Sequence, residues 1–389
     1  MTIQIRKEVI YRYIKWSILI LSILLHSKFT YAAYDCRVAT EYNGYTYTPI
    51  VNVSESYVGN DQPIGSVLYQ FKTTTSRKVG VICPAYFSVK STVSIDDSKG
   101  KSPITMATSI GVGAVYPTDV QGIGVMYYVY NSQKGGELVI LSNDKTPNFW
   151  DYTNADGGTL TTYNPTVFRI ALIKTGPIAS NSVVNMNSLP TVIWELLDNV
   201  VTPLKLYRIK PAGSITFISN TCTVLDRQVN LGQYEISNTF QGMGSTTPWI
   251  DSSITLQNCP TFSGYYGTES QEQLSADGAT ASGGTLTPNL LSVTISPTST
   301  VTDSIISLEN SSLTATGIGL QLGYTPDNFN ADPLNPAKIW NEGDSWSFVF
   351  PSDGTSTFRI PLAARYYQNS QTVNAGKADA KIVVNIEYK

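Results

Sequence analysis

The chain has 389 residues, four cysteines, one histidine and a formal net charge of −3, with only 14% of its residues charged. That length is enough for two or three domains, and an acidic balance on so few charges excludes the basic footprint of a nucleic-acid binder. The 29 glycines and 20 prolines are spread along the chain, and with abundant Ser, Thr, Asn and Tyr they point to an all-β protein with many turns.

Residues 1–33 read as a secretory signal peptide. Arg6, Lys7, Arg12 and Lys15 precede the apolar run from Trp16 to Leu25, and small residues follow at Ala32 and Ala33. The run is too short to span a bilayer, which favours cleavage over a membrane anchor. Cleavage after Ala32 places Thr30 and Ala32 at the two key positions; cleavage after Ala33 leaves Tyr34 first. The only histidine, His26, leaves with this segment, so the mature chain can form no Ser-His-Asp or Cys-His pair and no His-containing zinc site. Removing five bases and one acid leaves 21 bases against 28 acids, a net charge of −7. No cofactor, metal or nucleic-acid partner is expected.

Four cysteines in an exported chain suggest two disulfides, for which three connectivities exist. The local choice joins Cys36 to Cys83 and Cys222 to Cys259, across 47 and 37 residues, one bridge per domain. A first domain over 34–212 has strand candidates at 79–83, 87–93, 125–130, 138–141, 167–174 and 192–196. Turn signals at Asn43-Gly44, Lys134-Gly135-Gly136 and Asp156-Gly157-Gly158 punctuate them, the pattern of a β-sandwich. Residues 188–200 fit either a strand or a helical face. Pro211-Ala212-Gly213 marks a boundary, and a second domain over 213–389 has strand candidates at 214–218, 253–257, 292–295, 305–308, 317–322 and 346–350. The polar stretch 268–287 reads as a long exposed loop. A further strand is expected within 357–367. In the last one, Ile382, Val384, Ile386 and Tyr388 alternate with Val383, Asn385 and Glu387, the period of a half-buried strand. A terminal strand this apolar must be paired on both edges, or it is an aggregation hazard.

Gly376, Ala378, Ala380, Ile382, Val384, Ile386 and Tyr388 fall at the successive positions of a pattern that resembles the C-terminal end of a bacterial fimbrial subunit of the chaperone–usher type. Cys222-Thr223-Val224, Val229 to Gly232, Ile254 to Cys259 and Gly317 to Leu322 extend the resemblance over the second domain. It implies an immunoglobulin-like pilin sandwich that lacks its last strand, with Ile382, Val384, Ile386 and Tyr388 at an apolar groove. A periplasmic fimbrial chaperone fills that groove first and the next fimbrial subunit later, by strand addition to an open edge. An outer-membrane usher is the third assembly partner. Where a shaft subunit has a short donor extension, this chain has a whole domain. It can therefore receive a strand without an obvious one to give, as in a two-domain tip adhesin exposed on the bacterial surface. The first domain would bind a host or surface glycan, or a protein; a non-binding spacer is the alternative.

Candidate chemistry outside that resemblance is sparse. Gly111-Val112-Gly113, Gly122-Ile123-Gly124 and Gly317-Ile318-Gly319 lack the third glycine and the helix of a nucleotide loop, so close approaches within strands explain them better. No pair of carboxylates is singled out as a glycosidase pair, and the protein reads as a non-enzyme. The best recognition candidate is Trp150, Asp151, Tyr152, Asn154 and Asp156, following Asn148 and Phe149. In a loop, an aromatic ring there could stack on a sugar face while Asp and Asn bond the hydroxyl rim; the plainer reading buries Phe149 and Trp150. Tyr42, Tyr45 and Tyr47 form a second candidate, or one buried face of a strand. Tyr34-Asp35-Cys36 resembles the start of the mannose-binding tip adhesins, but Pro84-Ala85-Tyr86-Phe87 replaces the polar residues that follow their second cysteine, so the receptor stays unassigned.

Overall fold

A computed structural model of the chain describes residues 36–389, except for 40–44, 60, 76–78, 84–86, 98–99, 101, 132–134, 146–147, 155–157, 163–166, 199–202, 269–270, 276–280 and 283. The signal-peptide assignment for 1–33 lies outside the described residues. The fold is almost entirely β, arranged around two main hydrophobic cores.

The first core lies between two larger sheets and two smaller ones. One large sheet runs Val67–Thr74, Val167–Lys174, Ile123–Asn131, Val112–Pro117 and Ile104–Ala107, with Glu137–Ile140 also paired to Ile123–Asn131. The other runs Asn148–Asn154, Phe87–Asp96, Thr191–Asp198, Leu204–Ile209 and Tyr45–Tyr47, the last pair parallel. Ile123–Asn131 is apolar almost throughout because both of its faces are covered. Tyr127 and Val129 enter the main core, while Met126 and Tyr128 lie in a smaller cluster beneath Leu138 and Ile140. Residues 188–200, open between helix and strand in the sequence, contain the strand Thr191–Asp198, whose Trp194 rests against Phe168 across the core at 6.5 Å.

The second core lies between a sheet built on Ile318–Tyr324 and Leu362–Gln368 and a three-stranded sheet of Ser345–Val349, Leu290–Pro297 and Ile382–Tyr388. A small third sheet joins Thr223–Val224, Ile254–Gln257 and Phe358–Ile360. The single strand expected within 357–367 is two strands, because Pro361 has no N–H for a ladder and the chain changes sheets there. The disulfides form as Cys36–Cys83 and Cys222–Cys259, one in each core.

Two segments differ from the sequence reading. Ala212–Ile218 was expected to begin the second domain. It lies between Ile50–Tyr57 and Ser182–Asn185, with Ile215 and Phe217 in the first core. The glycine that suggested a boundary, Gly213, has φ +90° and sits where a Cβ would be 2.0 Å from the Val51 carbonyl oxygen, so it permits a close strand approach. The stretch 268–287 is no simple exposed loop either. Its residues Glu272–Leu274 pair in parallel with Val67–Thr74 of the first core's sheet, and Leu274 is buried there.

Candidate functional site

The last strand is the first candidate. Ile382–Tyr388 pairs antiparallel with Leu290–Pro297 and stands at the end of its sheet; among the described residues no strand pairs with its other edge. The expected pairing on both edges is thus absent. Ile382, Val384 and Ile386 are half-buried against the second core, and Val383, Asn385 and Glu387 are exposed. Half-burial of three branched apolar residues beside an open ladder is the geometry of a strand that has room for a neighbour. Nearby, residues 225–235 carry no regular structure; Val229 and Leu231 pack on the second core, while Leu225 remains exposed.

Both ends of this segment are held by close contacts. Upstream, Lys377 and Asn374 bridge to Thr314 and Thr316. A Cβ on Gly376 would lie 2.4 Å from the Ala315 nitrogen and 2.5 Å from the Leu313 carbonyl oxygen, so only glycine fits without movement. The Tyr366 hydroxyl donates to the Ala378 carbonyl at 3.0 Å. Downstream, Tyr388 is buried, its ring parallel to those of Phe262 and Phe350 at 6.2 and 6.1 Å. Burial raises its phenol pKa, and the nearby Asp61 adds to the rise. Its backbone N–H donates to Asp61 Oδ2 at 3.1 Å, and a Cβ on Gly59 would strike its carbonyl oxygen. The end of the strand therefore abuts Gly59 and Asp61, which follow the strand Ile50–Tyr57.

The second candidate is the pole of the first unit farthest from the second core. Strand registers bring Thr74 opposite Val167, Asn131 opposite Glu137, Asn154 opposite Phe87 and Asp198 opposite Val89 at that end. Val67, Ile123 and Lys174 lie at the opposite end, where Tyr57 and Ile218 meet the second core. The stretch proposed for recognition forms a strand rather than a loop. Asn148–Asn154 is an edge strand, with Trp150 opposite Ser91, Asp151 opposite Lys90 and Tyr152 opposite Val89, and an irregularity between Asn148 and Trp150. Backbone pairing with Phe87–Asp96 overrides the polar, loop-like composition. The side chains of Trp150, Asp151, Tyr152 and Asn154, and Asp156 altogether, lie outside the described residues. Of the tyrosine-rich stretch, Tyr47 is buried against Tyr207 at 5.6 Å and Tyr45 packs on the first core, so these rings are structural.

The glycine pairs are packing devices. A Cβ on Gly113 would meet Ile140 at 2.6 Å, on Gly124 Val115 at 2.4 Å, and on Gly319 Ile305 at 2.4 Å. Among the described residues no group of three or more His, Cys, Asp or Glu could hold a metal ion, and no helix is long and apolar enough to cross a membrane.

Residues 212–389 match the family model described as fimbrial protein. The chain is 25% identical over 346 residues to a fimbria adhesin protein of Klebsiella pneumoniae, covering 85% of this chain and 88% of that one. Among solved structures it is similar to the CupB6 tip adhesin from Pseudomonas aeruginosa, at 14% identity and TM-score 0.34, covering 91% of this chain and 94% of that one. It is also similar to the receptor binding domain of the plasmid-borne adhesin MrkD1P of Klebsiella pneumoniae, at 19% identity and TM-score 0.30, covering 49% of this chain and 99% of that one.

Proposed function

We propose that this chain, whose residues 212–389 match the fimbrial protein family model, is a two-unit fimbrial adhesin exported to the bacterial surface and placed at the fimbrial tip. The first unit binds a surface glycan or a protein receptor at its far pole. The second accepts a strand along the open edge of Ile382–Tyr388, from a periplasmic chaperone during transit past the usher and from the next subunit afterwards. The matched stretch starts at 212, so Ala212–Ile218 belongs to it while its Ile215 and Phe217 pack in the first core. The mechanism is non-covalent throughout, binding at one end and strand insertion at the other.

The observation that carries this reading is the unpaired edge of the last strand, with Ile382, Val384 and Ile386 only half covered. An added strand would pair the free backbone groups and bury the exposed parts of those side chains, and both gains favour insertion. Val384→Asp places a charge in that half-covered row, where it would need to be desolvated without a partner. Fimbriae from cells carrying the variant are expected to lack this chain, while purified variant keeps the receptor binding of the unaltered protein. Recovery of fimbriae with the normal amount of variant at their tips would refute the edge assignment.

A further inference from the structure

We infer that Glu272–Leu274, with Gly267 and Thr268 ahead of it, is an interunit strap, a short parallel strand that the second unit lends to the first unit's large sheet, and that it holds the two units as one body. Polar contacts place it. Glu272 lies opposite Phe71, Gln273 opposite Lys72 and Leu274 opposite Thr73. The buried Gln70 side chain donates to the carbonyl oxygens of Gly267 and, at 3.0 Å, Thr268, while its own oxygen accepts from the Tyr128 hydroxyl at 2.7 Å. Gln70 is thereby oriented by both units at once. The Tyr69 hydroxyl donates to Glu272 Oε2, and Arg169 Nε donates to Gln271 Oε1 at 3.2 Å.

Apolar contacts say why the strap stays. Leu274 is buried in the first core, and the Tyr266 ring meets Tyr69 edge-on at 5.9 Å. The exchange runs both ways, since Tyr57 of the first unit's strand is buried in the second core, with its ring edge on Phe262 at 4.6 Å. Asn289 of the second unit donates to the Tyr57 carbonyl and accepts from the Gly264 N–H at 2.8 Å. Each unit thus supplies a side chain to the other's core, an arrangement that a swinging tether between independent domains does not make. The strap also covers the edge of Val67–Thr74, a strand buried along most of its length that would otherwise offer an open ladder. Because the pairing is parallel, the strap runs toward the far pole and carries Leu274 to the level of Thr73, one residue short of that strand's end.

The test uses the full mature chain and needs no receptor. Lys72 and Gln273 are register partners and both half-exposed, so the double variant Lys72→Cys with Gln273→Cys is expected to form a 72–273 cross-link in most molecules under mild oxidation, with both native disulfides retained. In a second variant, Leu274→Asp, the distance between labels at the exposed Lys205 and Asp353 is expected to spread from one narrow distribution to a broad one. The single melting transition should split into two. Should Leu274→Asp fail to fold, Leu274→Ala with Tyr69→Phe is expected to give the same broadening in milder form. A folded double-cysteine variant without the cross-link, or a narrow distribution retained after the strap is weakened, would overturn the inference. Neither outcome depends on whether the far pole binds a receptor.

Discussion

At the scale of single residues, glycine carries much of the specification, at a few identifiable points. Gly376 is the clearest. Its neighbours within 2.6 Å of a would-be Cβ are all backbone atoms of 313–315, which cannot swing aside as a side chain would. Gly376→Ala should therefore cost about 1–3 kcal/mol, the usual range for overpacking, seen as a lower urea midpoint with an unchanged slope. An unaltered midpoint would show that the 313–316 bridge can give way. Gly213 and Gly59 follow the same logic at the seams between strands and between units. In each case the sequence shows the glycine, but the atom that requires it comes from a distant stretch of chain.

Among the elements, the faces of the last strand were legible in its sequence. Its period-two alternation predicted the faces that Ile382, Val384 and Ile386 present, and those residues are half-buried on the expected side. Its open edge was implied only by the family resemblance and not by the alternation itself, because pairing depends on where other strands end. The strand Asn148–Asn154 shows the reverse problem. Its composition suggested a loop, yet it forms seven residues of edge strand on Phe87–Asp96. We propose that its far end contributes to the receptor-binding pole. A glycan-array screen of the full mature chain beside Trp150→Ala tests this, and loss of a stacking ring should weaken binding about tenfold or more. Undiminished binding in the variant would move the site to other far-pole strands, and silence of both folded proteins would favour a protein receptor or a spacer. The full chain is the proper reagent, since an isolated first unit would lack the strand Glu272–Leu274 on its sheet.

Across the whole molecule, buried tyrosines link the two cores to a common alkaline limit. Burial raises the phenols of Tyr116 and Tyr128 to about 12, with Asp97 adding to the first and Arg169 lowering the second. Tyr57 and Tyr127 are raised further, again chiefly by burial. An unfolded tyrosine ionises near 10. Between pH 10 and 12 the unfolded chain therefore binds fewer protons than the native one, and stability falls as pH rises. Below pH 10 the stabilisation from these groups is fully present. The melting temperature should drop between pH 10 and 12, and the 295 nm absorbance of these tyrosines should rise together with loss of the native circular dichroism. A free titration centred near 10 in a still-folded chain would contradict their burial.

The sequence by itself determined the local and compositional properties: an all-β chain, two cysteine pairs and a C-terminal strand with one apolar face. These follow from periods, spacings and residue types within short windows, where alternation and turn chemistry act directly. Only the tertiary structure decided that Ala212–Ile218 packs in the first core and that Glu272 reaches Tyr69 from 203 residues away. Edge pairing and burial arise from contacts between distant segments. A three-residue strand such as Glu272–Leu274 has too little alternation to announce itself in a polar stretch, and it forms because a neighbouring sheet offers it an open ladder and an apolar slot.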